Sequence, residues 1–124
     1  MGQIIFNLTQ HQATPEQVAQ GVKDLEPEQA DVCRRLLTFN DGIPSAEDLQ
    51  YRGRQLAHLA VDLKAEAVMI GGAPYFMAPL ESALKEVGIR PLYAYSKRES
   101  VDQPQPDGTV VKTMVFRHIG FVEA

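Results

Sequence analysis

Ala67-Val68-Met69-Ile70-Gly71-Gly72-Ala73-Pro74 is the stretch that decides the fold. A short, continuous apolar run reads as a strand buried on both faces, the kind found in a parallel sheet. The glycine pair and the proline then turn the chain into a helix. Phe76 or Met77, Leu80, Leu84 and Val87 form its inward stripe, and Gly88 stands at its end. Ile89 to Tyr95 leads into the next strand. Upstream, Ile4-Ile5-Phe6-Asn7-Leu8 is a second short apolar run, closed by the polar segment Thr9-Gln10-His11-Gln12.

The segments between these strands read as helices. Thr14-Pro15-Glu16-Gln17 is a strong start signal, with a capping threonine, a proline at the first helical position and Gln17 completing a capping box. This helix is short and ends near Gly21 to Leu25. Val32, Cys33, Leu36 and Leu37 share one helical face, although residues 36–39 also read as a strand. Asn40 to Pro44 is a loop. Ser45 caps a long helix with Leu49, Leu56, Leu59, Ala60 and Leu63 inward, and Asp48 completes the capping pattern. Residues 102–108 look flexible, but Asp107-Gly108 is a hairpin turn signal, and Thr109 to Ile119 is a strand rich in valine and threonine. The expected fold is α/β: a Rossmann-like, mostly parallel sheet flanked by helices, with a C-terminal antiparallel β-hairpin at one edge. Gly71-Gly72 does not match the dinucleotide fingerprint G-x-G-x-x-G.

With 124 residues there is room for one domain, 1–124, and no second core of useful size. No apolar run approaches the roughly 20 residues that span a bilayer. Met1 to Phe6 lacks the basic flank of a signal peptide. A single cysteine, Cys33, rules out an internal disulfide and a cysteine-built zinc site, so a cytoplasmic location is expected. The net charge of −4 argues against a general binder of duplex nucleic acid, though not against one phosphorylated ligand in a local pocket.

Open α/β sheets bind ligands beyond the carboxyl ends of their strands, where strand order reverses. That rule gathers Thr9 to Gln12, Gly71 to Pro74, and Ser96-Lys97-Arg98-Glu99. Gly71 and Gly72 let backbone amides approach a ligand, and the helix dipole behind them favours an anion; a tight turn without a ligand fits them equally. His11, in a polar loop after a buried strand, is suited to hydrogen-bond a phosphate or transfer a proton. If residues 96–99 stay extended, Ser96 and Arg98 share one face, offering a hydroxyl and a guanidinium. The same segment also reads as a charged edge strand that resists aggregation. Arg34-Arg35 and Arg52 with Arg54 read as solvated helix faces, and Cys33 as buried. Tyr75 is a candidate to stack on a base. His11, His58 and His118 lie on different elements without metal-ligand spacing, and neither a metal nor another cofactor is expected.

Pro91 to Ser100, then Asp107-Gly108-Thr109-Val110-Val111-Lys112, then Val115-Phe116-Arg117-His118 resemble the C-terminal part of small, single-domain CRISPR-associated Rossmann-fold (CARF) proteins. In that group a Tyr-Ser/Thr-x-x-Arg strand precedes an Asp-Gly hairpin and a Phe-x-His strand. Phe6 to His11 followed by Thr14 to Gln17 is similar to the group's first strand and helix. The resemblance covers two-thirds of the chain and departs from the group in the long helix from Ser45. It implies a homodimer that binds a cyclic oligoadenylate across the dimer axis; no membrane partner is expected. In ring nucleases of the group that messenger is cleaved without metal by its own ribose 2′-hydroxyl, switching off a type III CRISPR response. By position, Thr9, Gln10, His11, Gly71, Gly72, Ser96 and Arg98 would contact the ligand. Tyr75 and Lys97 are further binding candidates, and Arg98 and His11 the catalytic ones. A nucleotide-sensing module without cleavage, and a small α/β protein acting by protein contact through its hairpin, are the alternative expectations.

Overall fold

A computed structural model describes residues 3–124. Met1 and Gly2, part of the segment read as lacking a signal peptide, lie outside the described residues. The elements run β1 (Ile5–Leu8), α1 (Pro15–Ala19), β2 (Val22–Lys23), α2 (Pro27–Leu37), α3 (Ala46–Asp62), β3 (Ala67–Ile70), α4 (Pro74–Glu86), β4 (Arg90–Pro104) and β5 (Val110–Glu123). They form one five-stranded sheet in the order β2-β1-β3-β4-β5. The first four strands are mutually parallel and β5 runs antiparallel to β4, so the fold is the expected Rossmann-like α/β class.

The central strand β3 is buried along its whole length, and alternation splits it between two cores. Val68 and Ile70 join Leu8, Leu56, Phe76, Leu80 and Leu84 beneath α2, α3 and α4. Ala67 and Met69 face the other way, with Ile5, Val22 and Leu92 under Ala13 and Phe121. Burying each large side chain of the first core stabilises the fold by about 1.5–3 kcal/mol. Gly53 of α3 lets that helix lie close to α4, since a Cβ there would come within 2.9 Å of the Pro79 carbonyl.

Several sequence expectations are corrected. Residues 36–39 form no strand; α2 runs to Leu37, and Thr38 and Phe39 follow it unpaired. Val32 and Val87 are exposed rather than inward, Val87 because α4 has already ended at Glu86. The short strand β2 was not anticipated. Residues 102–104, read as part of a loop, belong to β4, and the Asp107 carboxylate accepts bonds from the Thr109 amide and hydroxyl. β5 continues past Ile119 to Glu123. Asp48 does not complete a capping box; it holds Arg52 in an ion pair. Arg52 is not solvated either. Its guanidinium donates to the carbonyls of Arg35, Leu36 and Thr38 and lies 4.4 Å from the Phe39 ring centroid, closing the carboxyl end of α2. Cys33 is buried as expected, and burial pushes its thiol up to about 12 against a smaller lowering by Arg34.

Candidate functional site

In the order β2-β1-β3-β4 the connection after β1 runs to β2 on one side, and the connection after β3 runs to β4 on the other. Such a switch point opens a crevice at the carboxyl edge of the sheet. Here the crevice is a cleft of about 390 Å³, lined by Thr9, Gln10, His11, Gln12, Gly71 and Gly72, with Thr14, Gln17 and Tyr93 among its other walls. Small-molecule sites typically span about 300–1,000 Å³, so the cleft falls at the lower end of that range.

The loop after β1 is held by a polar network that the sequence reading missed. Asn7 is the buried polar residue of β1, only 4% exposed. Its Nδ2 donates to the His11 carbonyl at 2.7 Å and to Asp24 Oδ1 at 2.8 Å. Its Oδ1 accepts from the Thr9 amide at 2.9 Å and the Thr9 hydroxyl at 2.7 Å. Asp24 also accepts from the Ala13 amide. Both ends of the loop are thereby tied to β1 and to the segment after β2, while the side chain of His11 stays exposed. The signal in the sequence was an asparagine inside an otherwise apolar strand, since a buried amide is retained only where its hydrogen bonds are met.

The opposite wall is the glycine turn. Gly72 has φ +150°, which L side chains rarely adopt, and a Cβ at Gly71 would stand 3.7 Å from Thr9 Cγ2. The two loops therefore nearly touch. Behind the turn, α4 begins at Pro74 with no side-chain cap; Pro74 has no amide hydrogen and the Phe76 amide donates to the Ala73 carbonyl at 3.0 Å, which leaves Tyr75 as the remaining amide of the first three residues. Tyr93 donates its hydroxyl to Glu81. Burial first, then the hydrogen bond and charge of Glu81, raise its pKa well above the ordinary phenol range. Tyr93 is thus a neutral wall. His11 brings the one imidazole of the cleft lining.

The expected convergence of three segments is corrected to two. β4 pairs with β3 only from Arg90 to Leu92, then leaves the parallel sheet, so Ser96, Lys97 and Arg98 do not line the cleft. Ser96 and Arg98 do share a face, opposite His118 and Phe116 of β5. Among the described residues Arg98 forms no ion pair. Tyr75 also lies outside the lining and packs edge-on against Phe39 at 5.3 Å. Arg34, read as solvated, borders a second cleft of about 230 Å³ behind Thr9 to Gln12, paired there with Asp31 at 2.7 Å. His118 is bonded to Gln20 through Nε2 at 2.8 Å and packs on Phe121, far along the chain from His11. His58 is exposed on α3. Among the described residues no three His, Cys, Asp or Glu side chains gather as metal ligands, and no helix is long and apolar enough to cross a membrane.

No curated protein and no solved structure matches the chain. A family model does, described as the Uncharacterized protein MJ1673 family, and it spans residues 3–122. With nearly its whole length aligned, the chain belongs to the MJ1673 family.

Proposed function

We propose that the cleft between the loops after β1 and β3 binds a cyclic oligoadenylate, and that the bound ring is opened without a metal. The observation that carries the reading is the site's place and make-up. Hydroxyl, amide and imidazole groups of Thr9, Gln10 and His11 face a glycine turn and an uncapped helix start at the switch point of the sheet. Neutral donors of this kind suit a phosphodiester. In the proposed step a ribose 2′-oxygen forms a bond to the adjacent phosphorus and the P–O5′ bond breaks. The 2′-hydroxyl proton is lost and the departing 5′-oxygen gains one, leaving a 2′,3′-cyclic phosphate. The protein holds the in-line geometry, and His11 moves a proton. Arg98, carried by the projecting part of β4, stabilises phosphate charge if it reaches the bound ring.

The test is incubation with cyclic tetra-adenylate and cyclic hexa-adenylate without added metal, with the products resolved by chromatography. Linear products ending in cyclic phosphate support the proposal, and His11→Ala then slows their formation. Cleavage at the wild-type rate in both His11→Ala and Arg98→Ala removes the assignment of these two residues. A second reading, a sensor that binds without cleaving, is favoured by one observation. The His11 imidazole has no hydrogen-bond partner among the described residues to orient it. Binding with no product after prolonged incubation selects that reading.

A further inference from the structure

β4 and β5 continue as a two-stranded ribbon beyond the parallel sheet. From Tyr93 to Pro104, β4 has β5 as its only partner, and at about 3.3 Å per residue the ribbon spans roughly 40 Å. A two-stranded hairpin is marginally stable in water when nothing packs on it. This one also exposes apolar side chains along a single strand. Val110, Val111, Met114, Ile119 and Val122 are all exposed, and Phe116 is 76% exposed. β5 ends the sheet order, so among the described residues no strand pairs with its outer side; Gln20 reaches it only at His118 and Ile119, donating to the Ile119 carbonyl at 3.1 Å. A long apolar edge of this kind is a template for pairing with another strand.

We propose that the β4–β5 arm is the contact through which the chain associates with a second copy of itself. The area agrees. The chain exposes 8182 Å², whereas a compact monomer of 13.7 kDa exposes about 6,600 Å². The excess of roughly 1,600 Å² is ample for a standard interface, which takes about 800 Å² from each partner.

The charges point to a neutral partner rather than a nucleic acid. Lys112 stands opposite Asp102, and Arg117 bonds Glu99 at 2.9 Å, so the arm largely cancels its own charge. A second copy presents the same apolar, charge-balanced edge. Two-fold pairing places that edge on itself and leaves neither copy with a free β5 edge, so the assembly closes at two.

The full chain would be followed by sedimentation velocity and native mass spectrometry over a concentration series, beside the double variant Met114→Lys/Phe116→Lys. Circular dichroism would establish that the variant is folded. A dimer in the wild type whose dissociation constant rises by about tenfold or more in the variant is the expected result. A monomer at every concentration, or a dimer indifferent to the two lysines, overturns the proposal. If the variant fails to fold, hydrogen exchange on the wild type decides. Amides of residues 110–123 must gain protection as concentration rises, and unchanged protection there overturns the proposal equally. The proposal does not rest on the nucleotide reading, and a dimer that binds no cyclic oligoadenylate leaves it standing.

Discussion

Asn7→Asp changes one atom type at the centre of the loop network and tests whether that network shapes the cleft. The acceptor that serves Thr9 is kept. The amide nitrogen, which donates to His11 O at 2.7 Å and Asp24 Oδ1 at 2.8 Å, becomes an oxygen facing two oxygens. Two donated hydrogen bonds are lost, one of them to a charged acceptor, which together cost about 2–4 kcal/mol. Repulsion between the carboxylates adds to this while both are ionised. A domain of this size has about 5–15 kcal/mol of stability, so the variant stays folded and measurable. One carboxyl of the pair is held above the usual carboxylate range by its neighbour's charge. The variant's deficit is therefore smallest in mild acid, where that group is protonated and can donate, and grows as pH rises through its folded pKa. Urea unfolding of wild type and Asn7→Asp at acid and alkaline pH reads this out. Adding Asp24→Asn removes one of the two facing carboxylates and so recovers part of the loss, but its amide cannot both donate to position 7 and accept from the Ala13 amide at the single atom that meets both, and the His11 carbonyl still faces an oxygen. A variant as stable as wild type at alkaline pH, or no recovery in the double variant, refutes the reasoning.

Arg52→Ala leaves three carbonyls at the end of α2 without their donor and is expected to cost about 2–4 kcal/mol, read as a lower urea midpoint. Arg52→Lys recovers little of this, because an ammonium cannot match the guanidinium fork; full recovery contradicts the geometry. Gly53→Ala gains about 1 kcal/mol of helix propensity but drives a methyl against the Pro79 carbonyl, so a net loss of about 1–2 kcal/mol is expected, and a stabilised variant shows that α3 and α4 part easily. The buried Cys33 thiol holds its proton to about 12 when folded, against 9.0 for an ordinary thiol. Its contribution to stability is complete below pH 9.0 and falls by up to about 1.4 kcal/mol per pH unit above it. Cys33→Ala flattens that slope, and an unchanged slope assigns it to other groups.

Local signals of strong chemistry were legible in the sequence. The apolar runs at 5–8 and 67–70 became buried parallel strands, Thr14 and Gln17 formed the capping box, and Asp107-Gly108 became the hairpin turn. β2 escaped notice because two residues carry no periodicity. The reach of β4 was hidden because its outer half is polar and ends in a proline, which reads as loop. Of the site, the loop at 9–12 and the glycine pair were visible as punctuation after buried strands. The Asn7–Asp24 bond was not, because it joins residues 17 apart. Nor was the inward turn of Arg52, because which charged side chain turns inward is decided by neighbouring helices and not by the period of its own.

The proposed ligand sits between the loops after β1 and β3. This placement is tested most directly by titrating cyclic tetra-adenylate into isotope-labelled protein and following each backbone amide by nuclear magnetic resonance. Saturable shifts concentrated at residues 9–12 and at Gly71 and Gly72 are the expected result. No shift at those amides, or shifts confined to the β4–β5 arm, contradicts it.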